Sequence, residues 1–135
     1  MTQEQKELLL KDLCSRLPYG VKVYGNYSYN DGDKIVDDIK TKVLDIYDID
    51  WVIHNIEIKP YLFPLSSMTE EQKNEYQELC ESTPIYSNYY GIKTLCSYEY
   101  KDTLHSIDWL VENHFDYRGL IPMGLAKDAT GLNIY

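Results

Sequence analysis

Asp108, His114, Asp116 and Arg118 crowd into one short stretch near the C-terminus, the densest polar group in the chain. A His-x-Asp pair can orient an imidazole for general-base work, and a nearby guanidinium can hold an anion. A hydrolase centred on His114 is one reading of this block. No Ser, Cys or Thr stands beside it as a nucleophile. The preferred reading is structural: His114 closes a helix, and Arg118 bridges Asp116 or the free carbonyls of the following turn. No catalytic residue is therefore assigned.

Other clusters carry weaker chemistry. Asp31, Asp33, Asp37 and Asp38 could meet a hard cation, but the spacing lacks the sixth-position Gly and twelfth-position Glu of an EF-hand loop. A solvated hairpin end is expected there, and Asp45, Asp48 and Asp50 read as another turn. Cys14, Cys80 and Cys96 are odd in number and far apart. That spacing suits neither a zinc site nor a disulfide framework, and the expectation is reduced, partly buried thiols in a cytoplasmic protein. Glycine-rich phosphate loops, zinc-protease helices and nucleophile elbows are all missing. Neither a metal nor a cofactor is expected.

Tyrosine is the compositional outlier, with 14 residues against two Phe and two Trp. Its apolar ring and polar tip suit half-buried sheet faces and contact surfaces. Tyr27, Tyr29, Tyr98 and Tyr100, on the segments Val21–Tyr29 and Tyr86–Tyr100, are the candidate partner-contacting residues, with Arg118 added as a candidate ligand contact. The formal net charge of −9 makes double-stranded nucleic acid an unexpected partner, because backbone grip needs clustered Lys and Arg. It permits a basic partner or mimicry of nucleic acid, while Lys34, Lys40 and Lys42 leave room for a local basic patch.

The elements that position these residues are legible in part. Thr2 and Gln5 form a capping box, and Leu9, Leu13 and Leu17 give a helical stripe over 3–16, with Lys11 and Asp12 on the wet side. From Val21 the period changes to two, and Asn30-Asp31-Gly32-Asp33 predicts a hairpin. Ile39–Val43 and Trp51–Ile58 are further strand candidates. Thr69 and Gln72 open a surface helix that runs to about Cys80. Ile92–Tyr100 alternates like strand, and 104–113 is a third helix whose stripe includes His114. The expected fold is α+β: one domain over 1–135, with a small curved antiparallel sheet or barrel flanked by about three helices. The opening residues lack a signal-peptide pattern and no stretch approaches a membrane span.

Three blocks, KELLLKDLCSRLPYGVKV, IKPYLFPLSSMTEEQKNEY and IDWLVENHFDYRGLIPMGLAKDATGLNIY, cover about half of the chain. They resemble a family of small proteins of gut anaerobes, common in their phages and mobile elements. The resemblance implies a shared scaffold and a phage or mobile-element context, and it carries over no catalytic residue. The expected function is a non-enzymatic binding module, a phage or mobile-element accessory or counter-defence factor that binds a host protein. The alternative is a small-molecule or signalling-nucleotide sponge using Arg118, Lys59 and stacked Tyr rings. Oligomeric state is not readable from these features.

Overall fold

The computed structural model describes residues 1–80, 82–89, 92–100 and 103–135, with side chains for 1–80 and 106–135. The chain forms two compact units, Met1–Ser67 with Val111–Tyr135, and Met68–Leu110.

The first unit opens with α1 (Gln3–Arg16), started by a reciprocal cap in which Thr2 Oγ1 accepts from Gln5 N at 3.1 Å and Gln5 Oε1 accepts from Thr2 N at 3.0 Å. Pro18 tightens its end into a short 3-10 turn, and Gly20, at φ 67°, supplies the left-handed step that releases the chain into sheet. Strands β1 (Lys22–Asn26), β4 (Ile39–Val43), β5 (Glu57–Pro64), β8 (Phe115–Asp116) and β9 (Lys127–Asp128) make one open sheet. β1 lies antiparallel between β4 and β5, while β8 and β9 pair with β5 in parallel. A hairpin of β2 (Tyr29–Asp31) and β3 (Lys34–Val36) turns at Gly32, as the Asp-Gly pair predicts. Alternate residues of the sheet, Val23, Ile58 and Leu62, meet Leu9 and Leu13 of α1 and Val52 of α2 (Ile46–Ile53) in the core. Burying each such side chain contributes about 1.5–3 kcal/mol.

The second unit holds α3 (Glu70–Cys80), the antiparallel pair β6 (Ser82–Tyr89) and β7 (Ile92–Tyr100), and most of α4 (Thr103–Glu112). Thr69 and Gln72 cap α3 reciprocally, and none of its residues is buried. Trp109 packs its ring 5.7 Å from that of Tyr76 and donates from Nε1 to Glu75 at 3.0 Å.

The α+β class is as the sequence predicts, with three differences in detail. The sheet is mixed, because the short strands β8 and β9 run parallel to β5, and β4 leaves it open at one edge, so no barrel closes among the described residues. Ile46–Ile53 is a helix, not the start of a strand at Trp51. Its run of Ile and Val imitates strand composition, but Asp45 and Asp48 form a capping box and the buried stripe follows helical spacing. A fourth helix therefore joins the expected three. His114 lies beyond α4 with φ 61°, a left-handed helix-exit position, rather than on the helix's buried stripe. Among the described residues no helix is long and apolar enough to cross a membrane.

Candidate functional site

The aspartates read as a turn build the first half of the site. Asp45 is the N-cap of α2, and its Oδ1 accepts from the amides of Tyr47 at 2.9 Å and Asp48 at 3.2 Å. Asp48 is fully buried, yet every charge on it is answered. It accepts from Asp45 N at 2.9 Å and from the Tyr27 hydroxyl, and it pairs with Lys42 Nζ, 3.2 Å from its Oδ2. Lys42 also meets Asp45 at 2.7 Å. One carboxylate thus ties the residue after β1, the end of β4 and the first turn of α2 together.

Burial raises the Tyr27 pKa, and the hydrogen bond to Asp48 and the charges of Asp48, Asp45 and Asp38 raise it further. Its hydroxyl is a donor at neutral pH, not a base. Burial opposes the charge on Lys42, but its bonds to Asp45 and Asp48 outweigh that and hold its pKa above the ordinary value. The hydrogen bond from Lys42 holds the Asp45 carboxyl below its usual range, against the opposing effect of burial.

Tyr27 so fixed becomes one wall of a cleft of about 400 Å³, whose lining includes Tyr29, Asp38, Lys40, Trp51 and Ile56. Trp51 meets Tyr27 edge-on, with ring centres 6.3 Å apart and planes at 74°. The Lys40 ammonium sits 5.0 Å from the centre of the Tyr27 ring and 3.8 Å from the Asp38 carboxylate. Outward from the cleft's elements stand apolar side chains that the core does not use: Ile35 is 77 % exposed, Tyr47 73 %, Ile46 67 % and Trp51 47 %.

The Tyr27 ring lies so close over Gly25 that a Cβ there would stand 2.2 Å from a ring carbon. The ring cannot simply swing aside, because its hydroxyl is held by buried Asp48. Gly25→Ala is expected to lower stability by about 1–3 kcal/mol, as overpacking does. In a Tyr27→Ala background that loss should largely vanish, and a double-mutant cycle by urea unfolding measures the difference.

The C-terminal block is used differently from the sequence expectation. Asp116 does not reach Arg118; its two oxygens accept from the amides of Leu120 at 2.8 Å and Ile121 at 2.9 Å, closing the turn. Arg118 instead turns to Asp12, Nε to Oδ1 at 3.4 Å, and lies 4.9 Å from the Tyr117 ring centre. That ion pair is Coulombic; its geometry makes no hydrogen bond.

Asp12 is the largest surprise. Placed on the wet side by its charge, it is fully buried and bonded to Arg16 at 2.7 Å, and Arg16, equally buried, donates to the Phe115 carbonyl at 2.7 Å. The signal was present: residues 9, 12, 13 and 16 complete a single helical stripe.

His114 stacks on Tyr135 at 3.8 Å, and its buried Nδ1 has no hydrogen-bond partner. Burial, with the nearby Arg16 charge, pushes its pKa down to about 4. A neutral imidazole of that basicity is a weak general base at neutral pH.

Of the residues singled out from the sequence, Tyr27 and Tyr29 are brought together in the cleft, and Arg118 is bound into the block around Asp12. The side chains of Tyr98 and Tyr100 lie outside the described residues, as does that of Cys96. Cys14 and Cys80 are free thiols and exposed rather than partly buried. Lys59 pairs with Glu57 at 3.0 Å and lines a different cavity with Leu9, Ile58 and Leu125. Sequence reasoning missed Lys40, Asp48 and Trp51 as site residues. The capping-box spacing of Asp45 and Asp48 was the available clue for the helix that carries two of them. Among the described residues no group of three or more His, Cys, Asp or Glu is placed to hold a metal. Set against protein-family models, curated proteins and solved structures, the chain matches none.

Proposed function

We propose that the protein is a non-enzymatic cytoplasmic binding module that holds a partner protein through the surface made by the β2–β3 hairpin, the cleft and the outer side of α2. The observation that carries this reading is the set of exposed apolar side chains Ile35, Ile46, Tyr47 and Trp51 on those elements. Large apolar groups left in water beside a rigid cleft are characteristic of contact sites, and Tyr and Trp are the side chains that most often dominate them. The resemblance of the three sequence blocks to proteins of phages and mobile elements supports a host protein as the partner and an accessory or counter-defence role. The nucleotide-sponge alternative has less support, since Arg118 and Lys59, the cations it relies on, do not line the cleft.

Tyr47 and Ile46 make the test clean, because changes at such exposed positions usually alter stability by within about 0.5 kcal/mol. Captured from a lysate of the source organism, a partner of the wild type should be lost from Tyr47→Ser and Ile46→Ser, with affinity reduced about tenfold or more and melting unchanged. Full retention of the partner by both variants, together with loss of a measurable activity in His114→Asn, would replace the binding reading with the catalytic one.

A further inference from the structure

We propose that the cleft formed by Tyr27, Tyr29 and Trp51 is a receptor for a cationic side chain, arginine or lysine, carried by a basic segment of the partner protein. The inference rests on the docking reading and names the chemistry of what docks. Its first support is the ammonium already in the cleft. Lys40 sits over the Tyr27 ring with Asp38 as its counter-ion, so an aromatic face and a carboxylate are arranged as a cation's seat. Lys40 is an imperfect permanent occupant, since its side chain remains 52 % exposed and can swing into water.

A second support is the rigidity of the walls. Tyr27 is clamped between Gly25 and Asp48, and Trp51 stands edge-on to it from a capped helix, so little ordering is left for a ligand to complete. The local field points the same way. Between residues 29 and 51 the chain carries seven Asp against three Lys, and Asp48 and Asp45 bond Lys42, leaving Lys40 as the movable cation of the cleft. That field and the net charge of −9 attract a basic segment, repel an acidic one, and disfavour a second copy of this chain. Arginine suits the seat better than lysine, because its planar guanidinium both stacks on a ring and forks onto a carboxylate.

The test is isothermal titration of the full chain with a short peptide of Arg, Lys and Ser, and with a peptide of equal length in which Glu replaces the cations. The basic peptide should bind and the acidic one should not. Trp51→Ala and Asp38→Asn should each weaken the basic peptide by about tenfold. Lys40→Met should tighten it several-fold, because the internal competitor is gone. Trp51→Ala separates the cleft from diffuse attraction to an acidic surface, because it leaves the charge of the chain unchanged and diffuse attraction would be indifferent to it.

Binding that is unaltered in Trp51→Ala, weaker in Lys40→Met, or absent altogether overturns the proposal. Preference for the acidic peptide also overturns it and makes the lysines an anion site. If the peptides fail while Tyr47→Ser and Ile46→Ser still lose the captured partner, the docking surface stands and only its cationic specificity falls. If the peptides behave as expected but those two variants keep the partner, the cleft binds cations and the wider docking surface falls.

Discussion

Arg16→Met is expected to lower the free energy of unfolding by about 3–5 kcal/mol, the largest effect of any single polar substitution considered. Both members of the Asp12–Arg16 pair are 0 % exposed, and removing the guanidinium leaves a carboxylate in the core with only the 3.4 Å approach of Arg118 to answer it. The bond from Arg16 to the Phe115 carbonyl is lost as well, so α1 loses its polar tie to β8. Removing both charges should behave differently. A buried pair must offset the desolvation of two ions, and apolar replacements of similar volume avoid that penalty. Asp12→Leu combined with Arg16→Met should therefore recover most of what Arg16→Met loses. Urea unfolding of the wild type and these two variants at neutral pH checks both statements. A loss under about 1 kcal/mol in Arg16→Met would mean that the carboxylate finds water or another cation at little cost.

Asp48→Ala should be nearly as damaging, at about 3 kcal/mol, and should also open the cleft. The capping box of α2 is worth about 1 kcal/mol, and leaving buried donors unmatched costs about 1–3 kcal/mol more. Tyr27 and the Asp45 amide lose their acceptor together, and Lys42 keeps only Asp45. Asp48→Asn keeps the shape and one carbonyl acceptor, so it should lose less. The informative readout beyond stability is the cleft itself. In folded Asp48→Ala at low temperature, the Tyr27 ring is freed, and binding of the basic peptide should fall with it. Retained peptide affinity in that variant would show that the orientation of Tyr27 does not depend on Asp48.

The sequence alone determined what depends on near neighbours along the chain. The capping boxes at Thr2–Gln5 and Thr69–Gln72, the Leu stripe of α1 and the Asp-Gly turn each rest on contacts a few residues apart, and each stands in the structure where its pattern puts it. The strand Ile39–Val43 forms as well, but its alternation does not set its burial: Ile39 and Val43 are exposed, and Lys42 is drawn inward by Asp48. The helix Ile46–Ile53 was legible only through its cap, because side-chain type and backbone state conflict there. Its β-branched residues favour strand, and the burial of Val52 against the core favours helix. Asp12 misled for a related reason. Charge predicts a wet position unless a partner is buried with it, and the i, i+4 Arg16 decides that only once Phe115, 99 residues away, supplies a carbonyl. The cleft was the least legible part. Tyr27 and Tyr29 were visible as tyrosines on a strand, but Lys40, Asp48 and Trp51 meet them through a β1–β4 register and a helix placement that no local pattern encodes. Composition and local pattern together therefore settled that this is an acidic, tyrosine-rich α+β protein. Only the tertiary structure decided which tyrosine became a wall, which aspartate became its anchor and which lysine came to lie over its ring, since burial and charge pairing are properties of residues brought together from distant positions.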